Sequence, residues 1–245
     1  YMSAVSLFAL FQLGGTGEEV VELASEEAPV VAKPEFQIPE VPVFDPNVSL
    51  IGSWNLRLKP PPAFMRPGNY HDPLLIAQII QNSGADLWAL QELFDDYTDP
   101  DGGLRNEYMD AVVLVLNRRT GSEWIYWVGD AKDRWGQNSG FLWNSETVEV
   151  LLEPFVLNNF NRPTFELTEK MIWRRRPAAA VFRFKASSTR TLLVSAHHKG
   201  YNSEAAQAHR LSEATVLLGQ VSDLKGAHAV DAVVLAGRLA DESGE

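Results

Sequence analysis

Three short apolar runs, each ending in polar residues, set the tightest limit on what this chain can fold into. Val48–Leu56 carries Ser53-Trp54-Asn55 near its end, Ala85–Gln91 runs into Glu92, and Thr191–His197 ends in Ala196-His197-His198. Runs this short and this apolar read as strands, and the 85–91 run is buried on both faces. The C-terminal ends of strands are where α/β proteins commonly place their sites. A fold that gathers these ends would bring an Asn, a Glu and a His together.

The intervening sequence supplies the other elements. Asp72-Pro73 opens a helix, with an N-cap followed by proline at the first helical position, and Gly84 closes it. Its Leu74, Leu75, Ile79 and Ile80 are expected on one inward face. A second helix is expected over Leu104–Arg119, stopped by Gly121, and a third from Ser203 to Val221. In the third, Ala208, Leu211, Thr215 and Leu218 form the expected apolar stripe. Short strands are expected near Glu123–Val128, Gly140–Trp143, Val148–Leu152, Ala178–Lys185 and Asp231–Ala236. Strands joined mostly by turns do not make a strict doubly wound fold. They suit two sheets packed face to face with helices outside.

Charge divides the chain. The net charge is −11, which taken whole argues against a protein that coats nucleic acid. Residues 14–45, however, hold eight acids and one base, and 241–245 hold three more acids, leaving about −1 for 46–240. The acidic total therefore says little about substrate. Pro29, Pro34, Pro39, Pro42 and Pro46 block helix and ladder pairing, so 14–47 reads as an acidic, proline-rich linker. Residues 1–13 are apolar and uncharged. They read as the remnant of a signal peptide or N-terminal anchor whose start is missing, or else as a buried or amphipathic helix. The expectation is export, periplasmic, extracellular or membrane-anchored. There is no cysteine, which excludes disulfides, thiolate-bound zinc, iron–sulfur clusters and thiol nucleophiles. No apolar run reaches the roughly 18 residues of a complete span.

Glu92 is an oxygen ligand suited to Mg²⁺, Asn55 can orient a ligand through its amide, and His197 can donate to charge developing on a phosphoryl oxygen. A second feature is basic. Arg174, Arg175, Arg176, Arg183, Lys185 and Arg190 lie within 17 residues, and read either as a solvated turn or as a phosphate-facing patch. The tryptophans and Phe141 read as core rather than as stacking platforms.

Sequence order adds specificity. Ile51-Gly52-Ser53-Trp54-Asn55 is followed by Ala85-Asp86-Leu87-Trp88-Ala89-Leu90-Gln91-Glu92, then Asn138-Ser139-Gly140-Phe141-Leu142-Trp143 and Arg175-Arg176-Pro177. Leu192-Leu193-Val194-Ser195-Ala196-His197-His198-Lys199 and Asp231-Ala232-Val233-Val234-Leu235-Ala236-Gly237 complete the series. In this order the stretch from about 48 to 240 resembles the endonuclease/exonuclease/phosphatase superfamily, with its deoxyribonuclease-I-like fold. The resemblance implies a four-layer α/β/β/α sandwich, here lacking its last strands, over 48–245. It implies a Mg²⁺- or Mn²⁺-dependent hydrolase of phosphoesters, DNA or RNA among them. By the same resemblance Glu92 is the principal metal ligand, Asn55 arranges metal and phosphate, Arg175 supports or contacts phosphate, and His197 serves the phosphate. Asn138 and Tyr108 lie near polar positions of the family. No protein partner is implied, and the N-terminus could serve as a membrane tether.

Two departures matter. Where the family reads "G-D-x-N", this chain reads Gly237-Arg238-Leu239-Ala240, and the terminal "S-D-H" element has no counterpart. An arginine at 238 cannot accept a proton from water and would repel a cation. The resemblance therefore implies little or no hydrolysis by the chain as it stands, and an open sheet edge where strands are lacking. It leaves two readings, an incomplete form of an active enzyme or a non-catalytic phosphate-binding relative. It also leaves a phosphomonoesterase acting on a small-molecule or lipid phosphate as the alternative to a nuclease.

Overall fold

The computed structural model describes residues 5–10, 49–56, 72–130, 137–157, 176–198 and 203–238. The linker proper, the 241–245 tail, Arg175 and Ala240 lie outside them. Two sheets face each other. The first runs in the order β1 (Val5–Leu10), β2 (Ser49–Asn55), β3 (Leu87–Leu93), β7 (Asn138–Asn144) and β6 (Trp124–Val128). The second runs β11 (Ala232–Arg238), β10 (Arg190–His197), β9 (Ala178–Phe184) and β8 (Val148–Val156). β2 and β3 are parallel, as are β10 and β11, and the remaining pairs in both sheets are antiparallel. A two-residue ladder, β4 (Tyr97–Thr98) with β5 (Leu104–Arg105), sits apart.

Strand alternation sorts the core into three layers. Trp54, Trp88 and Leu90 point outward onto helices α1 (Pro73–Ser83) and α2 (Glu107–Thr120), where they meet Ile76, Ile80, Met109 and Val112. Ile51, Leu87, Ala89 and Phe141 point inward and meet Ala178, Ala180, Phe182 and Ala236 of the second sheet. The outer face of that sheet, with Val181, Leu192 and Val194, packs on Leu217 and Val221 of α3 (Glu204–His228). The result is the expected four-layer α/β/β/α sandwich. Gly52 makes the first core possible. A Cβ there would lie 2.3 Å from the Trp88 ring, so the indole packs flat against bare backbone.

The helix ends follow the sequence. Asp72 accepts from the Leu74 amide and Gly84 takes φ 69 at the C-cap. The helix faces do not all follow it. α1 buries Ile76, Ala77 and Ile80, and leaves Leu74 and Leu75 exposed. α2 begins at Glu107, because Asn106 caps it by accepting from the Met109 amide, and Leu104 belongs to β5. α3 is rotated relative to its expected stripe. Ala208, Leu211, Thr215 and Leu218 face solvent, with Leu211 70% exposed, whereas Ala206, Glu213, Leu217 and Val221 are buried. α3 carries leucines on both sides, and a buried glutamate decides between them. Glu213 Oε2 lies 3.1 Å from His198 Nδ1, which faces α3 from the end of β10. His209 Nε2 is 3.2 Å from Oε1, close enough for attraction but misaligned for a hydrogen bond. A buried carboxylate requires such partners. Leu217→Ala should cost about 3 kcal/mol and Leu211→Ala less than about 0.5 kcal/mol in chemical denaturation. Equal losses would contradict this orientation.

Val5–Leu10 is a strand rather than the helix allowed for residues 1–13, paired antiparallel with β2 from Val5↔Trp54 to Leu10↔Ser49, while β11 forms an edge of the second sheet among the described residues. Among the described residues no helix is long and apolar enough to cross a membrane.

Candidate active site

Asn55 ends β2, Glu92 lies near the end of β3, and His197 ends β10. β2 and β3 are parallel, so their C-terminal ends coincide, and β10 brings its own end to the same edge from the second sheet. Asn55 shares the inward face with Ile51, and His197 shares it with Leu193. Glu92 breaks alternation. The β3–β7 ladder shifts register between Gln91 and Leu93, and Glu92 adopts φ 57, the left-handed region that a glutamate enters only at a cost. The bulge turns its carboxylate toward the other two. Asn55 Nδ2 donates to Glu92 Oε1 at 3.1 Å, and His197 Nε2 stands 3.5 Å from the same oxygen. The His197 and Glu92 side chains are 3% and 12% exposed. Asn55 and His197, singled out at the strand ends, therefore both meet Glu92.

Arg175 lies outside the described residues. Its neighbour Arg176 lies just before β9, at the strand end that carries His197, and donates from Nη2 to the Asp130 carbonyl at 2.9 Å. Of the two readings of the basic run, a solvated turn or a phosphate-facing patch, Arg183, Lys185 and Arg190 do not fit a patch at the site. Arg183 pairs with Arg190 across β9–β10, at the end of the strands opposite His197. Arg183 is bound to Glu149, and both line an open cavity of about 620 Å³ with Trp143, Val148 and Lys185, remote from the three residues. Asn138 is buried at the start of β7 and donates from Nδ2 to Asp95 Oδ1 at 3.4 Å, so it sits near the site edge. Tyr108 lies in the first turn of α2 against the outer core. Burial, and then Asp72, push its phenol above the ordinary value, so it stays protonated and cannot act as a base.

Sequence reasoning passed over three groups. Asp95 was signalled only by an acid soon after a strand end. The His198–Glu213 pair joins residues 15 apart on different elements. Gln91 and Ser195 bridge the sheets from positions 104 apart.

Among the described residues no three or more His, Asp or Glu side chains converge as a metal cage. The donors at the strand ends still suit a hard cation. Mg²⁺ keeps several waters and takes one or two carboxylates, so the Glu92 carboxylate with the Asn55 amide oxygen matches its chemistry. Register places residue 238 beside His197, so the arginine that departs from the family pattern belongs to the strand next to the site.

No protein-family profile and no curated protein sequence matches the chain. Solved structures do. An endonuclease/exonuclease/phosphatase family protein from Bacteroides thetaiotaomicron matches with TM-score 0.51 and 14% identity, over 80% of this chain and 65% of that one. The mannosyl-6-phosphatase Bt3783 of Bacteroides thetaiotaomicron gives 0.47 and 15%, over 77% and 64%. TDP2 of D. rerio complexed with single strand DNA product gives 0.46 and 20%, over 78% and 61%. The chain thus spans less than two thirds of the length of each. Identities this low speak to architecture alone. On its layers, its strand order and the first of these likenesses, the chain has the endonuclease/exonuclease/phosphatase fold.

Proposed function

We propose that the chain is a divalent-cation-dependent phosphoester hydrolase of the phosphodiesterase or nuclease type. The observation that carries this reading is the convergence of Asn55 and His197 on one oxygen of Glu92, at the edge where both sheets end. Glu92 and Asn55 would hold Mg²⁺ or Mn²⁺. Such a cation supplies polarisation of a phosphoryl oxygen and stabilisation of the leaving oxygen. His197 presents Nε2 for a hydrogen bond to a phosphoryl oxygen, and Asn55 keeps Glu92 and the bound group in register. An arginine at 238, where the family pattern has an acid, cannot accept a proton from water, so little turnover is expected of the chain as it stands.

The test is cleavage of supercoiled plasmid with and without Mg²⁺. The expected result is slow, cation-dependent nicking, faster in Arg238→Asp/Ala240→Asn and abolished by Glu92→Ala. Release of inorganic phosphate from a monoester without nicking would replace the nuclease reading with a phosphatase. No turnover of any phosphoester in the double variant would overturn the enzymatic reading.

A further inference from the structure

The two halves of the site belong to different sheets, and no ladder joins β3 to β10. Facing sheets usually stand about 10 Å apart, with side chains interleaved between them. Here the inner layer is graded along the strands. Trp143, Phe182 and Phe184 fill the end remote from the site, Phe141 stands opposite Ala89 midway, and Ala178, Ala180 and Ala236 lie toward the site end. Small residues let the sheets close in at that end. The consequence is a direct polar bridge. Ser195 Oγ of β10 donates to the Leu90 carbonyl of β3 at 2.7 Å and accepts from Gln91 Nε2 at 3.0 Å. Ser195 is 0% and Gln91 1% exposed. Gln91 immediately precedes Glu92, and Ser195 lies two residues before His197 on the same face.

We propose that Ser195 is a positioning residue: by tying β10 to β3 through Gln91 and the Leu90 carbonyl, it sets the separation of Glu92 and His197. Without the bridge, Gln91 and Leu90 would lose partners in a dry interior, and the inter-sheet gap would depend on apolar contacts alone. The bulge that turns Glu92 toward His197 begins at Gln91, so the same bond also steadies the bulge.

Two readouts on folded, full-length protein test this. The first needs no metal or turnover: the imidazole ¹⁵N–¹H signature of His197, assigned by its loss in His197→Gln. The second is Mn²⁺ affinity, which rests on the function proposed above. Ser195→Ala is expected to shift the His197 signature and to weaken Mn²⁺ binding about 10-fold. Ser195→Thr, which keeps the hydroxyl, should restore both. Thr191→Val, a buried substitution on the same face of β10 whose hydroxyl has no hydrogen-bond partner, should change neither. If Ser195→Ala does not fold, Gln91→Leu removes the donor while leaving the Ser195–Leu90 bond and should produce the same shifts. An unchanged His197 signature in a folded Ser195→Ala or Gln91→Leu protein would overturn the proposal. If wild-type protein binds no Mn²⁺, the function proposed above fails, and the His197 signature alone decides the role of Ser195.

Discussion

Glu92→Asn is expected to abolish divalent-cation binding and at the same time to raise the free energy of unfolding by about 1 kcal/mol. These opposite signs follow from one backbone angle. Glu92 sits at φ 57 in the bulge of β3. A non-glycine residue pays roughly 1–2 kcal/mol for the left-handed region, and asparagine pays less than glutamate. The strain persists because the Asn55 amide and the His197 ring meet the carboxylate once it has turned. Asparagine keeps the turn at lower cost but loses the charge and the reach that a cation needs. Urea denaturation and a Mn²⁺ titration on the same protein check both halves. A variant less stable than wild type would show that contacts of the carboxylate outweigh the strain, and that Glu92 is placed for stability rather than for ligand binding.

Gly237→Ala is expected to cost about 4 kcal/mol, combining overpacking against backbone with a strained φ. Gly237 lies opposite Ala196 in the β10–β11 ladder, one residue before the register position that faces His197. Its φ is 134, and a Cβ built there would fall 2.0 Å from the Ala196 carbonyl oxygen. That oxygen belongs to the strand that carries His197 and cannot swing aside as a side-chain tip would. Relief requires β10 and β11 to part at the edge where the site forms. A folded variant should therefore also show a displaced His197 resonance. A loss below about 1 kcal/mol would mean that the edge yields easily and does not hold the histidine in place.

Much of the site was legible in the sequence because strand ends announce themselves. Asn55, Glu92 and His197 each follow an apolar run, and two parallel strands bring their ends together without further information. The caps of α1 were equally local, since Asp72 and Gly84 act on their own neighbours. What the sequence hid depends on partners distant in the chain. The facing of α3 turns on Glu213, whose burial is rational only once His198 is known to lie opposite it. The leucines at 211 and 218, taken alone, argue for the opposite face. The bulge at Glu92 leaves no local mark, because a glutamate is not a residue type that favours left-handed backbone. The separation of Arg183, Lys185 and Arg190 from the site is a matter of register. Residues close to His197 in sequence occupy the other end of the same strands.

The proposed cation and phosphate site rests on Glu92 and Asn55, held against His197 across two sheets. The most direct measurement is anomalous diffraction from crystals soaked in Mn²⁺. The expected result is a manganese peak within coordination distance of the Glu92 carboxylate, with Asn55 beside it, and no such peak in Glu92→Ala. Manganese bound elsewhere on the chain, with none at the Glu92 carboxylate, would contradict it.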